Sequence, residues 1–507
     1  MKKLLNHLSG TNLFLTGLSS LLVIAFLIFI LVNPNLVSDF ADFWKTLIAQ
    51  RFASYLIWIV TLIAIFTIVI ALTPFGRITL GKDGELPEFS RFSWFAMLFG
   101  AGVGTGILFY GVAEPISHLQ NNPFLSLENI QPITPEAAVI AQRITLFHWG
   151  FHGWACYSFV GLCLGYFSYR KGLPLTIRSA LYPFMGDKIY GFAGDIVDLV
   201  AVFSTLFGIS VSLGLGASQM ASGLQYLFSF EVTPLFKLGL ILFVSAIATI
   251  SVASGLNRGI KLLSEINIWL CIILLSFIIF AGPTLTILSS LVSGTLDYFA
   301  TLLPMSIWVD PNENNEWQST WTLFYWGWWI SWGPFVGMFM ARISRGRTLR
   351  EYVAGTLLFP VLIGFFWLIV FGATALDLQL NGVGGLVEAV NRDITQAIFT
   401  AYELLDVEWA TWAMALLTTI LIATWFITSS DSATLVICTI LCLGKKHPPM
   451  ALRIFWGAII GCVAGLILLF GGLTALQTAS TSIAIPFSVV LIFMMFGLVK
   501  SLWESER

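Results

Sequence analysis

Five tryptophans crowd the stretch 321–350, WTLFYWGWWISWGPFVGMFMARISRGRTLR: Trp321, Trp326, Trp328, Trp329 and Trp332. Trp326, Trp329 and Trp332 recur at threes, so on a helix they share roughly one face and descend along it. Membrane tryptophans ordinarily form an interfacial belt, but a belt holds one or two. A column of indoles facing a bundle interior makes a box for a cation without a fixed counter-charge. A quaternary ammonium is held that way, by attraction to the ring quadrupole. A second aromatic set, FHWGFHGWACY at 147–157, brings Trp154 and Tyr157 to one helical face with Trp149 not far off it. With Trp329 and Trp332 these make a candidate aromatic cage. His148 and His152 stand at i, i+4, a metal-ligand spacing. A membrane metalloenzyme built on histidine boxes needs more than the five His of this chain, so packing or hydrogen bonding is expected of them.

The run MLFGAGVGTGILFYGVAEP alternates Gly100, Gly102, Gly104 and Gly106 in mid-span. Each costs roughly 1 kcal/mol against Ala in a helix interior. Close helix packing uses glycines four apart; strict alternation predicts unwinding. A helix interrupted within the membrane frees carbonyls for a cation and aims N–H groups at an anion. Thr105 is the most polar residue of this turn, which lacks Asp and Glu. A zwitterion needs no protein carboxylate here, because its own carboxylate can meet the freed N–H groups. In TWFITSSDSATL, Thr428, Ser429, Ser430, Asp431, Ser432 and Thr434 form a dense hydroxyl cluster inside an apolar run. Hydroxyls in membrane helices often bond back to the preceding turn. Hydroxyl and carbonyl oxygens are also hard ligands that suit a small cation such as Na+. Asp431 is an intramembrane ionisable group and so a functional candidate, or else a hydrogen-bonding anchor near the cytoplasmic side.

The elements that must position these residues are membrane helices. The chain is 57% hydrophobic and only 10% charged over 507 residues, with mean hydropathy +0.88. Soluble domains sit near a quarter charged. The formal charge of −2 offers nothing to a nucleic-acid partner. All six cysteines fall in apolar runs, as packing residues do. Twelve apolar runs long enough to cross a bilayer lie near 12–32, 53–73, 92–119, 139–168, 190–228, 234–253, 262–282, 319–341, 352–374, 408–443, 451–473 and 480–499. The stretches 284–316 and 381–403 read as amphipathic surface segments with loops. No small-residue cleavage site follows the opening lysines, so the first run is expected to be a spanning helix rather than a signal peptide. With both termini cytoplasmic, all but Lys45, Arg51, Arg143, Lys237 and Arg392 of the 25 Lys and Arg fall on the inner side. Arg342, Arg345, Arg347 and Arg350 then mark the cytoplasmic end of the Trp-rich helix.

Four segments carry a resemblance: FYWGWWISWGPFVGMFMARISRGRTLRE (324–351), FGAGVGTGILFYGVAEP (99–115), FHWGFHGWACY (147–157) and FITSSDSATL (426–435). In this order, over most of its length, the chain resembles the betaine/carnitine/choline transporters. The resemblance implies an all-α integral membrane fold of twelve transmembrane helices, ten of them in LeuT-type inverted five-helix repeats (helices 3–7 and 8–12). One polytopic domain then spans 1–507: two N-terminal helices in 1–90, the first repeat in 91–283, a surface helix and loop in 284–318, and the second repeat in 319–507. It implies a homotrimer in the lipid bilayer of the cell membrane that imports glycine betaine or a similar quaternary-ammonium solute. No cofactor is implied beyond Na+ as coupling ion.

Trp149, Trp154, Tyr157 and Trp329 would form the cage, with Trp332 on the cytoplasmic side of the path. Gly102, Gly104 and Gly106 would lie in the unwound stretch beside the substrate. One sodium site would use carbonyls of Gly100, Val103 and Trp425 and hydroxyls of Thr428 and Ser429. Sodium-independent members place an arginine in the seventh helix; 262–283 has no Lys or Arg, which favours sodium coupling over carnitine-type exchange. A second sodium site in betaine symporters uses two threonines one turn apart in the fifth helix. Here Thr205 is present but Ile209 follows, so Ser204 or Ser210 would have to compensate. Choline carriers often carry Asp where Gly106 stands, which argues for a zwitterion.

Overall fold

The computed structural model describes residues 10–102, 104–254, 257–312 and 316–506. The described residues are almost entirely helical. The long helices, in order, are α1 (Leu13–Val32), α2 (Leu36–Arg51), α3 (Ala53–Leu72), α4 (Arg91–Gly102), α5 (Thr105–Gln120), α6 (Pro135–Trp149), α7 (Phe151–Gly165), α8 (Phe192–Phe228), α9 (Pro234–Ser254), α10 (Asn257–Ala281), α11 (Thr284–Ile307), α12 (Thr322–Ile343), α13 (Leu349–Leu380), α14 (Glu408–Leu441) and α15 (Met450–Glu506). Among the described residues nine helices are long and apolar enough to cross a membrane. The differences from the apolar runs have local causes. The third run divides into α4 and α5, and the fourth into α6 and α7 at Gly150, so neither gives one long helix. The Trp-rich α12 is diluted by Trp, Tyr and Gly. The last two runs join into α15, whose bend falls at Gly472 (φ 67°) and not in a loop over 474–479. Glycine adopts that left-handed conformation at little cost, and the residues after it continue as helix.

Helix α11, the first expected surface segment, is amphipathic and buries only Ile287, Tyr298, Met305 and Ser306, yet it is itself one of the nine helices long and apolar enough to cross a membrane. It is anchored, however: Asp297 receives two bonds from Arg143 on α6, at 2.7 and 3.1 Å. The stretch 381–403 departs from expectation. It folds into short helices whose Leu386, Val390, Ile398, Phe399 and Tyr402 are buried. Phe399 stacks on Tyr226 of α8, and the Tyr402 hydroxyl pairs with Thr418 of α14 at 2.8 Å. This segment is a packed cap over helix ends because its aromatic residues find partners from distant helices.

The closest crossing joins α7 to α12. A Cβ on Gly337 would stand 2.7 Å from Val160 and 2.9 Å from the Gly161 nitrogen, so the two backbones touch. Small residues permit such approach in membrane helices, where dispersion does most of the packing. At the arginine-bearing end of α12, the 78–88 loop pairs with the α12–α13 connection. Leu80 N–H donates to Arg347 O and Gly346 N–H to Leu80 O, both at 2.8 Å. The Arg347 guanidinium lies 4.1 Å from the Trp94 ring centre and 2.5 Å from Glu351.

Candidate functional site

The cage residues come from three elements, and glycines let them in. A Cβ on Gly153 would fall 2.8–3.0 Å from the Trp329 indole, one on Gly106 2.6 Å from Trp328 and 3.1 Å from Trp149, and one on Gly208 2.8 Å from Trp332. The indoles therefore press against the backbones of α7, α5 and α8. Trp149 meets Trp329 edge to face at 5.1 Å between ring centres, Trp329 meets Tyr157 at 5.9 Å, and Tyr157 meets Trp154 at 5.6 Å. Tyr157 also faces Trp332 at 6.5 Å. Such tilted contacts are the favoured geometry for quadrupolar rings.

All five predicted cage residues, with Gly104 and Gly106, line one cavity of about 510 Å³. Trp149, Trp154, Tyr157 and Trp329 retain 7, 7, 3 and 6% exposure, so they are buried yet face open space. The cavity continues past Phe335 and Phe339 toward the arginine-bearing end of α12, where its walls are half-exposed. Away from that end the indoles close on Tyr325, His148 and Glu114, all buried. Two polar atoms of the aromatic lining have no partner: the Tyr157 hydroxyl and the Trp332 indole nitrogen.

The glycine-rich run is interrupted as predicted. α4 ends at Gly102 and α5 begins at Thr105, with Gly104 extended (φ −149°, ψ −172°) and no side chain capping the new N-terminus. The N–H groups of Thr105 and Gly106, which lack helical partners by position, stand at the cavity wall. Trp425, Thr428 and Ser429 line the same cavity from α14. The Thr428 hydroxyl donates to the carbonyls of Thr424 and Trp425, both at 3.1 Å. Donation uses its proton and leaves lone pairs for a cation. Gly100 lies in the last turn of α4, and Val103 lies outside the described residues.

Comparison with known proteins identifies the family. The family model described as BCCT, betaine/carnitine/choline family transporter, matches residues 14–507. The chain is 41% identical to the glycine betaine transporter OpuD of Bacillus subtilis, over 94% of its own length and 91% of that protein. It is 41% identical to a glycine betaine transporter of Acinetobacter baylyi, over 96% and 72%. It is 40% identical to a glycine betaine/proline/choline/ectoine transporter of Vibrio parahaemolyticus, over 96% and 86%. The chain belongs to the betaine/carnitine/choline transporter family. It is a multi-pass membrane transporter and not an enzyme.

Other predicted residues of the transporter lie off the cavity. Thr205 is buried on α8 with its hydroxyl bonded back to Ala201 O at 2.9 Å, and Ser210 bonds to Leu206 O at 2.7 Å. The Ser204 hydroxyl is buried without a partner. Asp431 is buried away from the cavity, facing Ser251 and Arg453. His148 and His152 do not act as a pair: His152 stacks on Trp326 at 5.3 Å, while His148 bonds Glu114 and Thr322.

Sequence reasoning missed three features of the transporter. Trp328, stacked on Trp329 at 5.0 Å, is a cavity wall as much as its neighbour. The break at Gly150 sets the cage: it ends α6 at Trp149 and exposes the His148 carbonyl, which accepts the Trp329 indole N–H at 2.9 Å. Glu114 lies behind Trp149. Its signal was a carboxylate and a histidine at i, i+4 within an apolar run, Glu114 and His118.

Proposed function

We propose that this transporter imports glycine betaine, or a similar quaternary-ammonium compatible solute, together with sodium. The observation that carries this is the single cavity uniting the aromatic cage, the open N-terminus of α5 and the Trp425–Thr428–Ser429 face of α14. A trimethylammonium group sits among rings by cation–π attraction. The carboxylate of the same molecule meets N–H groups at the helix start, where the helix dipole favours an anion. The α14 oxygens, with carbonyls of the interrupted α4, bind Na+ next to it, so the ion holds the arrangement that the substrate needs. The names of the relatives support betaine as the substrate class. Thr205 is kept as a candidate for a second sodium ion.

The membrane arrangement we favour has twelve spans. Each interrupted pair counts as one, α12 is included, α15 divides at Gly472, and α11 lies along the membrane surface. Helices 3–7 and 8–12 then form the inverted LeuT-type repeats. Both termini are cytoplasmic, so the cavity opens to the cytoplasm, and the assembly is a homotrimer in the cell membrane. Transport follows as one bundle rocks against the other around the cage.

The test is uptake of labelled glycine betaine into proteoliposomes with and without an inward sodium gradient. Accumulation only with sodium is expected. Uptake indifferent to sodium but accelerated by internal betaine or carnitine would make the protein an exchanger and the α14 hydroxyls structural.

A further inference from the structure

Glu114 is the one fully buried glutamate among the described residues, and it does not line the cavity. Four polar side chains converge on it. Its Oε1 lies 2.6 Å from His148 Nδ1 and 3.3 Å from His118 Nε2, and each imidazole donates to it in the tautomer that carries the proton on that nitrogen. Its Oε2 accepts from the Tyr325 hydroxyl at 2.5 Å and from the Trp149 indole N–H at 3.0 Å. The same indole N–H is shared with the Tyr325 oxygen at 3.1 Å. An ionised carboxylate has about four lone-pair positions and no proton of its own. Here two positions face the Tyr325 hydroxyl and an indole that can only donate, and two face imidazole nitrogens that donate in the matching tautomer. No Lys or Arg forms an ion pair with Glu114 among the described residues.

A metal reading of Glu114, His118 and His148 fits less well. Two ligands of one tetrahedral ion with bonds of about 2.0 Å stand roughly 3.3 Å apart. Glu114 and His148 approach at 2.6 Å, which is a hydrogen bond.

We propose that Glu114 is a buried, fixed negative charge of the substrate site, set one indole behind the cage, while Glu265 lines the open part of the same cavity. This rests on the quaternary-ammonium reading of that cage. Glu114 is a positioning residue: it fixes Trp149 and Tyr325 through their polar atoms and never touches the substrate. Its charge acts through the ring plane of Trp149, drawing the ammonium end of a ligand toward the sealed side of the cavity. It also tunes selectivity. At an effective dielectric of about 20 and roughly 10 Å, losing that charge costs a monocation roughly tenfold in affinity and a zwitterion roughly twofold, since the zwitterion's own carboxylate feels the opposite force.

The experiment measures tryptophan-fluorescence binding by the full-length purified protein. Its two probes are glycine betaine and choline, which carries the same head group with a net positive charge. Glu114→Gln is expected to weaken choline severalfold more than betaine. Tyr325→Phe, which keeps the charge, should weaken both alike. An unchanged betaine-to-choline ratio in Glu114→Gln overturns the proposal and leaves Glu114 a structural bond acceptor. Failure of the wild-type protein to bind either probe overturns the quaternary-ammonium reading itself, and this proposal with it. A measurement on the unmutated protein stands beside these, whether or not the variant folds. Infrared spectra with isotope-labelled glutamate should lack the C=O band of a buried protonated glutamic acid at neutral pH. Such a band would show Glu114 uncharged and overturn the proposal.

Discussion

At Gly104 the chain enters α5 with no side chain on its first N–H groups, and those groups face a cavity. At Gly150 the chain breaks again, but there two of the released groups are taken up by side chains from other helices. Phe151 N–H donates to the Tyr298 hydroxyl at 3.0 Å, and the His148 carbonyl accepts from Trp329 at 2.9 Å. The first break leaves N–H groups at a cavity wall; the second uses its freed groups to hold an indole and α11. A helix break therefore marks a binding site only when its freed groups lack protein partners. In the proposed function the start of α5 at Gly104 is therefore the ligand-facing break, and the Gly150 break is the frame that orients Trp149 and Trp329.

The largest effect that tests this contrast comes from filling the first break. Gly106→Leu drives its side chain into Trp328 and Trp149, since even a Cβ would stand 2.6 Å from one and 3.1 Å from the other. Overpacking costs about 1–3 kcal/mol or more, here paid within the cage, and betaine binding should fall below detection in titrations of folded protein. Gly104→Ala is the control: its Cβ meets nothing within 4 Å. Its backbone is ordinary extended chain, so affinity should stay within about twofold, the spread of a harmless surface change. Equal loss in both would mean that the backbone at the break, and not the space beside Gly106, is what matters. Next in size is Trp329→Leu. It removes a cation–π partner worth about 1–2 kcal/mol when desolvated and strands the His148 carbonyl, so the dissociation constant for betaine should rise about tenfold. Affinity equal to wild type would remove Trp329 from the cage. Thr428→Ala comes third. Losing one oxygen ligand of about 1 kcal/mol should raise the sodium concentration for half-maximal uptake severalfold, with little change at saturating sodium. An unchanged sodium curve would take Thr428 out of the ion site.

The first break was legible because its cause is local. Alternating glycines weaken a helix wherever it is placed, and Thr428 and Ser429 announce themselves as hydroxyls in an apolar run. The cage was legible for the same reason, as aromatic residues at helical spacing. Gly150 was not, because one glycine between two histidines is compatible with continuous helix. What ends the helix there includes a hydroxyl 147 residues along the chain, on a segment that reads only as amphipathic. Glu114 was hidden likewise. Its partners come from α5, α6 and α12, and no spacing rule joins Glu114 to Tyr325. The burial of 381–403 depends on Tyr226 and Thr418, which lie on other helices. Local periodicity encodes which face a residue takes, while the partner across that face is set by tertiary packing.

Tyr298→Phe is the smallest and sharpest test. Removing one hydroxyl leaves the Phe151 N–H without its acceptor and opens only the space of one oxygen beside Gly150, whose Cβ position lies 2.4 Å from that hydroxyl. A lost hydrogen bond of this kind costs about 1 kcal/mol, somewhat more if the donor stays dry, so in a chain of this size the thermal unfolding midpoint should drop by about 1–2 °C. If the Gly150 break is only a frame, betaine affinity should stay within twofold, because the Trp329–His148 bond and the ring contacts are untouched. A tenfold change in affinity with an unchanged unfolding midpoint would reverse the assignment. The break would then belong to the moving parts of the transport cycle, and α11, tied to α6 through Arg143 and Asp297, would be the lever that works it.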